Sequence, residues 1–308
     1  MYDHSSTDVA AAAQPRAHNS PLLTRTLAYV NLMKPHVTTL LLAVTALTMV
    51  MAAKGLVPVH LLGATLLGGL LAAGSANSIN CYLDRDIDGL MGRTMRRSVP
   101  AGKVQPGHAL VFGLVIGAVS FGIMAVFVNL LAAGLAMAGL LFYVLIYTRW
   151  LKRATTLNIV IGGAAGAVPA LVGWAAVTGD VSLTAVLLFA VIFCWTPPHF
   201  WALSLVIKRD YERAGIPMLP VVKGDPETRR QIFLYTLVLV AVSLVLFAVG
   251  AMGYLYLAVA VGLGAGIVYL ALRLEKGASL SWANRMFWFS NSYLALLFAV
   301  MALDRVLR

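Results

Sequence analysis

Asn80-Cys-Tyr-Leu-Asp84-Arg-Asp86-Ile-Asp88-Gly89-Leu-Met-Gly-Arg93-Thr94-Met-Arg96-Arg97 follows a long apolar run and closes it with charges of both signs. Asn80, Asp84 and Asp88 recur every fourth residue, so on a helix they share one slowly drifting face. Asp86 lies about 200° round from Asp84 and points elsewhere. Gly89 is placed to end that helix, and the residues after it form a basic loop. Carboxylates beside a basic loop complement a diphosphate that carries a divalent metal.

Working outward, the setting is a membrane. Of 308 residues, 60% are hydrophobic and 11% charged, with a mean hydropathy of +0.86; a soluble domain carries about 25% charged residues. Apolar runs long enough to cross about 30 Å of hydrocarbon fall near 37–53, 58–81, 108–128, 130–149, 157–178, 182–206, 229–250, 253–273 and 285–304. The predicted fold is all-α: a polytopic membrane protein with nine transmembrane helices around a central cavity that opens to the cytoplasmic side, N-terminus inside. In that topology the inner segments hold 20 of the 23 Lys and Arg residues, leaving Lys54, Arg305 and Arg308 outside, as the positive-inside rule requires. The net charge of +11 is then mostly topogenic, and the expected surroundings are a lipid bilayer with no nucleic acid. Residues 1–30 read as a mobile polar tail and 31–308 as a single transmembrane domain. No targeting peptide stands out, since the first apolar run lies too deep in the chain. Cys81 and Cys194 show no disulfide or metal spacing and read as small buried hydrophobes.

Two long polar connections, 82–107 and 207–228, both fall inside and cap the expected site. The second carries Lys208-Arg-Asp210-Tyr-Glu212-Arg213. Asp210 and Glu212 are two apart and face different ways on a helix; Asp210 is the favoured ligand, with the other acid pairing with Lys208 or Arg213. Four spans separate the two acidic ends, which suggests a parallel repeat of four helices plus one, the ends facing each other across a cavity. Asn80, Asp84, Asp88 and Asp210 are therefore the candidate metal ligands and catalytic residues. Magnesium favours such a set, one or two carboxylates completed by water and substrate phosphate. Arg93, Arg96, Arg97, Lys103, Lys208 and Lys34, the last just before Pro35, are candidates to hold diphosphate oxygens.

The sixth span ends Cys194-Trp195-Thr-Pro197-Pro198-His199-Phe-Trp201. Two prolines remove two backbone donors, which predicts a kinked or unwound helix lining a cavity. His199 lies about two helical turns below the surface and is a candidate to bind a haem iron, act as a base or orient a substrate. Tyr82, Tyr143, Tyr147, Trp195 and Trp201 are candidate aromatic faces for a cation. Gly162, Gly163 and Gly166 allow close helix packing, and Asn158, Asn291 and Tyr293 are candidate interhelical hydrogen bonders.

The Asn-x-x-x-Asp-x-x-x-Asp row at 80–88 resembles the intramembrane prenyltransferases of the UbiA type, over about residues 30–304. Lys34-Pro35, Met91-Gly-Arg93-Thr94, Trp195-Thr-Pro-Pro-His-Phe-Trp201 and Ala214-Gly-Ile-Pro-Met-Leu-Pro-Val222 are similar to the branch of that family that modifies haem. The resemblance implies transfer of a farnesyl group from farnesyl diphosphate to a vinyl group of haem B with addition of water, giving haem O for terminal oxidases. It also implies Mg²⁺ as cofactor, a bacterial inner-membrane location with the site on the cytoplasmic side, and haem A synthase as a candidate partner. By position Asn80, Asp84 and Asp88 would hold Mg²⁺–diphosphate, and Arg93 would touch diphosphate. The family's second motif, Asp-x-x-x-Asp, is incomplete, because Asp210 is followed at the fourth position by Ala214. Two other functions stay open: prenyl transfer to an aromatic quinone precursor, and transport of an anionic amphiphile. A CDP-alcohol phosphatidyltransferase is excluded, since its last two carboxylates would fall on Pro106 and Leu110.

Overall fold

In the computed structural model, residues 21–277 and 279–308 are described. They are helical, without a strand, and nine helices are long and apolar enough to cross a membrane. In chain order the helices are α1 (Pro21–Leu32), α2 (Pro35–Ala53), α3 (Val59–Leu83), α4 (Arg85–Asp88), α5 (Pro106–Phe127), α6 (Leu130–Leu141), α7 (Lys152–Ala154), α8 (Asn158–Thr178), α9 (Leu183–Val206), α10 (Lys208–Arg213), α11 (Leu219–Val222), α12 (Gly224–Ala248), α13 (Tyr254–Lys276) and α14 (Leu280–Leu307). A π-helical stretch, Phe142–Leu151, joins α6 to α7, so Leu130–Ala154 runs on as one span. The nine spans agree with the apolar runs, whereas the fourth continues past the expected end at 149. Its last turn stays helical because Lys152 and Arg153 find carboxylates there.

The expected polar tail divides. Its first part, 1–20, lies outside the described residues, while 21–30 form most of α1. Ala28 and Leu32 of α1 are buried with Cys81, Val99, Val104 and Ala109, and the Ser98 hydroxyl donates to the Ala28 carbonyl at 2.8 Å. That clamp folds the 89–105 connection back over the end of α3.

Small residues set the closest helix contacts, as membrane packing requires. α3 and α5 interlock where Gly113 and Gly117 accept Ile79 and Ser75, and hydroxyls tie the pair at Ser75–Gly113 and Ser120–Gly68, both 2.7 Å. Gly163 leaves room for Thr196 and Gly162 for the ring of Tyr147, whereas Gly166 meets nothing. The tight turn into α6 is built by Asn129: its side chain accepts from Ala132 N and donates to Ala175 O, both at 2.8 Å. At the end of the bundle away from the Asn80–Asp88 row, buried Asp304 of α14 accepts from the free amides of Gly253 and Tyr256 at the start of α13. A side chain from another helix thus satisfies donors that α13 cannot satisfy itself.

The paired prolines do not break α9, which is helical from Leu183 to Val206. Pro197 and Pro198 are buried, and α8, α12 and α14 pack along the helix. Tertiary packing overrides the loss of two backbone donors. Of the expected interhelical bonders, Asn291 bonds within its own helix to Phe287 O, and neither Asn158 nor the Tyr293 hydroxyl has a hydrogen-bond partner.

Candidate active site

The Asn80–Asp88 row survives, but not on one continuous helix ending at Gly89. α3 stops at Leu83, Asp84 takes a non-helical geometry (φ −93°, ψ 9°), and α4 restarts for one turn. Arg153 Nη2 caps the Leu83 carbonyl at 3.0 Å and Arg85 turns back to the Tyr82 carbonyl at 2.8 Å, which ends α3 there. The four-residue spacing persists through backbone bonds from Asp84 N to Asn80 O at 2.9 Å and from Asp88 N to Asp84 O at 2.8 Å.

The carboxylates are not at a solvated rim; Asp84 and Asp88 are 0% and 1% exposed. Burial at that level demands partners. Asp84 Oδ2 accepts from Asn80 Nδ2 at 2.6 Å and from Lys152 Nζ at 2.5 Å. Asp84 Oδ1 has no hydrogen bond at all; its nearest cation is Arg153 at 3.6 Å. Both Asp88 oxygens accept from Arg97 Nη1, at 2.8 and 2.9 Å, and the Thr94 hydroxyl donates to the Asp88 carbonyl. Asn80 Oδ1 accepts from Lys34 Nζ at 2.9 Å, and Thr148 Oγ1 lies 3.3 Å from Asn80 Nδ2.

Lys34 reaches Asn80 from a strained backbone. Its φ is +52°, rare for a residue with a side chain and disfavoured further by the following proline. Burial is the main cause that lowers the Lys34 pKa to about 8, and the charges of Arg97 and Lys152 push the same way. Asp86 points away from the row, as its spacing predicts. It is exposed, and its two bonds to Arg153, both 2.7 Å, hold its carboxyl down to about 2.

The second acidic end comes to the first at Gly92. A Cβ there would lie 3.7 Å from Asp210 Oδ2, an ordinary contact distance, so the two loops meet at this position. Asp210 pairs with Arg213 at 2.5 Å and Glu212 with Lys208 at 3.9 Å, so each acid keeps a cation of its own helix. Lys208 also pairs with Asp225, at 2.8 Å. Arg93 is exposed, and its charge, with that of Arg97, opposes the rise that burial gives the Tyr211 pKa. Arg96 and Lys103 are exposed and form no ion pair among the described residues.

Lys152, Arg153 and Thr148 touch the row, yet none stood out in the sequence as a site residue. The first two read as ordinary inner-loop charges. The π-helix brings them in: its i→i+5 ladder stacks Lys152 on Tyr147, with Lys152 N bonded to Tyr147 O. Tyr147 and Tyr143 stand 5.4 Å apart between their centroids and continue this wall. Arg85 covers the face of Tyr82 at 4.6 Å.

His199 belongs to a separate aromatic stack on α9. Trp195 covers one side at 4.2 Å and Phe287 packs at 4.7 Å with 27° between the planes. Its Nδ1 lies 2.8 Å from Ser290 Oγ, and that hydroxyl donates its own proton to Phe287 O. Ser290 therefore accepts from His199 Nδ1–H, which leaves Nε2 as the unprotonated nitrogen. The Trp195 indole is fixed by the Ser290 carbonyl at 2.7 Å. Trp201 is buried against Tyr235, its indole N–H without a partner.

Among the described residues no three His, Cys, Asp or Glu side chains converge as a metal cage. The donor set that does exist, two buried carboxylates and an amide with one carboxylate oxygen unpartnered, still fits a magnesium ion that takes its other ligands from water and phosphate.

Nine apolar helices bearing this buried row define the fold of membrane-embedded prenyltransferases. A structure concerned with digeranylgeranylglyceryl phosphate synthase matches 92% of this chain and 99% of its own, with a TM-score of 0.78 at 16% identity. A UbiA homologue from Archaeoglobus fulgidus bound to GPP and Mg²⁺ matches 89% of this chain and 99% of its own, with a TM-score of 0.66 at 15% identity. The pattern of the UbiA prenyltransferase family matches residues 40–298, and the chain belongs to that family. The protoheme IX farnesyltransferase of Gloeobacter violaceus is 56% identical over 279 residues, covering 90% of this chain and 92% of that protein. The protoheme IX farnesyltransferase of Roseiflexus sp. is 51% identical over 278 residues, 90% of this chain and 52% of that longer protein, so this chain spans about half its length.

Proposed function

We propose that this protein transfers the farnesyl group of farnesyl diphosphate to a vinyl group of haem B, adds water to give haem O, and releases diphosphate. The observation that carries the reading is the buried Asn80–Asp84–Asp88 row, held among Lys34, Arg97, Lys152 and Arg153, in a chain whose relatives at half identity or more bear that activity's name. The charge bias of the loops supports a site at the cytoplasmic face of a bacterial inner membrane.

Asn80, Asp84 and Asp88 would hold Mg²⁺, with Asp210, which approaches Gly92 of the first loop, as a further candidate carboxylate. The ion, when bound, supplies positive charge to the leaving diphosphate. Lys34, Lys152 and Arg97 are the donors best placed to bind diphosphate oxygens and to stabilise the charge that gathers there as the allylic C–O bond breaks. Arg93, at the loop edge, is a second-rank contact. Tyr143 and Tyr147, both half-buried, present π faces beside the row, suited to an allylic cation.

Electrons of the vinyl double bond then form the new C–C bond. The carbon left cationic takes the oxygen of water, and one proton is released. On the acceptor side, Ser290 holds His199 in the tautomer whose Nε2 lone pair is free, suited to engage the haem iron and orient the porphyrin. The stacked Trp195 and Phe287 keep that ring from turning.

The test is mass spectrometry of haem after incubation of purified protein with haem B, farnesyl diphosphate and Mg²⁺. A gain of one farnesyl and one hydroxyl group is expected. Unchanged haem, with farnesylation of 4-hydroxybenzoate instead, would overturn the acceptor assignment.

A further inference from the structure

Asn158 opens α8 and is 0% exposed, yet neither atom of its amide has a hydrogen-bond partner. A buried amide with donor and acceptor both idle is uncommon, and its cost calls for a ligand or a reason. Its place in the bundle suggests one. One turn along the same face, Gly162 is packed against the ring of Tyr147. The fourth span and α8 run antiparallel through a short connection at 155–157. One turn nearer that connection, Asn158 stands level with Leu151 and Lys152, and Lys152 is the lysine on Asp84. Its neighbours face other ways: Ile159 enters the main core, and Leu157 and Val160 line a cleft with Trp201 and Tyr235. Lys34, the residue just before α2, likewise has a polar side chain, aimed at Asn80. A polar residue thus stands at or just before the start of each of these two helices, at the same end of the bundle.

We infer that Asn158 is a substrate-binding residue whose amide nitrogen donates to a diphosphate oxygen of the prenyl donor. This rests on the reading that a prenyl diphosphate enters beside Asp84. An amide suits the place, because it adds a donor without adding charge to a site that already holds Lys34, Arg97, Lys152 and Arg153.

The experiment compares the full chain with Asn158→Leu, of similar volume, and Asn158→Ser, which keeps a small donor, all in lipid nanodiscs with Mg²⁺. Thermal shift against farnesyl diphosphate gives binding, and steady-state rates give KM for each substrate separately. For Asn158→Leu the Kd and KM for farnesyl diphosphate should rise about 10–100-fold, as for loss of a hydrogen bond to a charged group. The KM for haem B should stay put, the melting temperature without ligand should hold or rise, and Asn158→Ser should fall between. Wild-type affinity for farnesyl diphosphate in Asn158→Leu overturns the assignment, as does equal weakening of both substrates with a lowered melting temperature. If Asn158→Leu does not fold, Asn158→Ser decides by the same comparison. Wild-type protein that binds farnesyl diphosphate but leaves haem B unchanged sinks the acceptor reading alone, with the Asn158 result still decided by thermal shift. Wild-type protein that fails to bind it sinks both.

Discussion

Lys152→Met removes one charge and leaves a methylene chain of similar length. The lysine is 14% exposed and its ammonium lies 2.5 Å from Asp84 Oδ2, on a carboxylate that is 0% exposed. Removing one partner of a buried pair typically costs about 3–5 kcal/mol, because the other charge stays in a dry place. Here Asp84 keeps the Asn80 amide at 2.6 Å and Arg153 at 3.6 Å. A loss of about 2–4 kcal/mol in unfolding free energy is therefore expected. Asp84→Asn in the same chain removes the stranded charge, so the double variant should recover most of that loss, with a coupling of about 2 kcal/mol between the sites. Farnesyl transfer should be lost in both, since recovered packing restores neither cation nor carboxylate. The assay is unfolding of the four proteins in mixed detergent micelles, followed by tryptophan fluorescence, beside product mass spectrometry on the folded samples. Wild-type stability for Lys152→Met would refute the reasoning, as would a double variant whose loss equals the sum of the singles.

Three further outcomes are expected. His199→Ala should weaken a haem B titration at least about tenfold, as loss of an iron ligand implies, with farnesyl diphosphate binding unchanged; an unaltered titration would make the stacked ring a packing residue. Asp304→Ala leaves the amides of Gly253 and Tyr256 unpaired, for a stability loss of about 1–3 kcal/mol with KM and kcat preserved; altered kinetics in the folded fraction would show that this end of the bundle is not independent of the site. Chelation of divalent metal should weaken farnesyl diphosphate binding, whereas an identical thermal shift with and without Mg²⁺ would remove Asn80, Asp84 and Asp88 from a metal role.

The nine spans were legible because insertion in hydrocarbon leaves few options: a run of about 20 apolar residues satisfies its backbone only as a helix. The four-residue row was legible for a related reason, since spacing on a helix translates directly into a shared face. What failed were inferences from local chemistry against tertiary packing. Pro197 and Pro198 predict a kinked or unwound helix, but α9 stays helical from Leu183 to Val206 with helices packed on several sides. The break occurs instead at Asp84, where no sequence signal exists, because the arginine that caps Leu83 comes from residue 153. Lys152 and Arg153 were misread for the same reason: in sequence a basic pair at a helix end is a topology signal, and only the π-helix before it turns the pair onto Asp84 and Asp86. Asn158 carried no signal either, since a lone Asn in an apolar run is compatible with any interhelical bond, and its distinguishing property is the lack of one.

In the proposed reaction, the charges of the row would favour an anion and a cation arriving together. Asp84 and Asp88 of the row meet Lys34, Arg97, Lys152 and Arg153, so two buried negative charges face four positive ones, with Arg153 also paired to exposed Asp86 outside the row. A diphosphate arriving alone would find each close donor except Lys34 already committed to a carboxylate. A divalent ion alone would find Asp84 and Asp88 already neutralised, with Asp84 Oδ1 the one idle oxygen. Under the proposed reading, Asn80, Asp84 and Asp88 would hold the metal when the two arrive as a pair, and the freed Lys152 and Arg97 would bind the phosphates. Each exchange replaces one charge-assisted contact by another, so neither buried carboxylate is left bare in the process. The same logic assigns different weights to the cations. Lys152 and Arg97 can make that exchange because each holds a buried acid directly, whereas Arg153 stays bound to exposed Asp86 and serves mainly to end α3 where the row must begin.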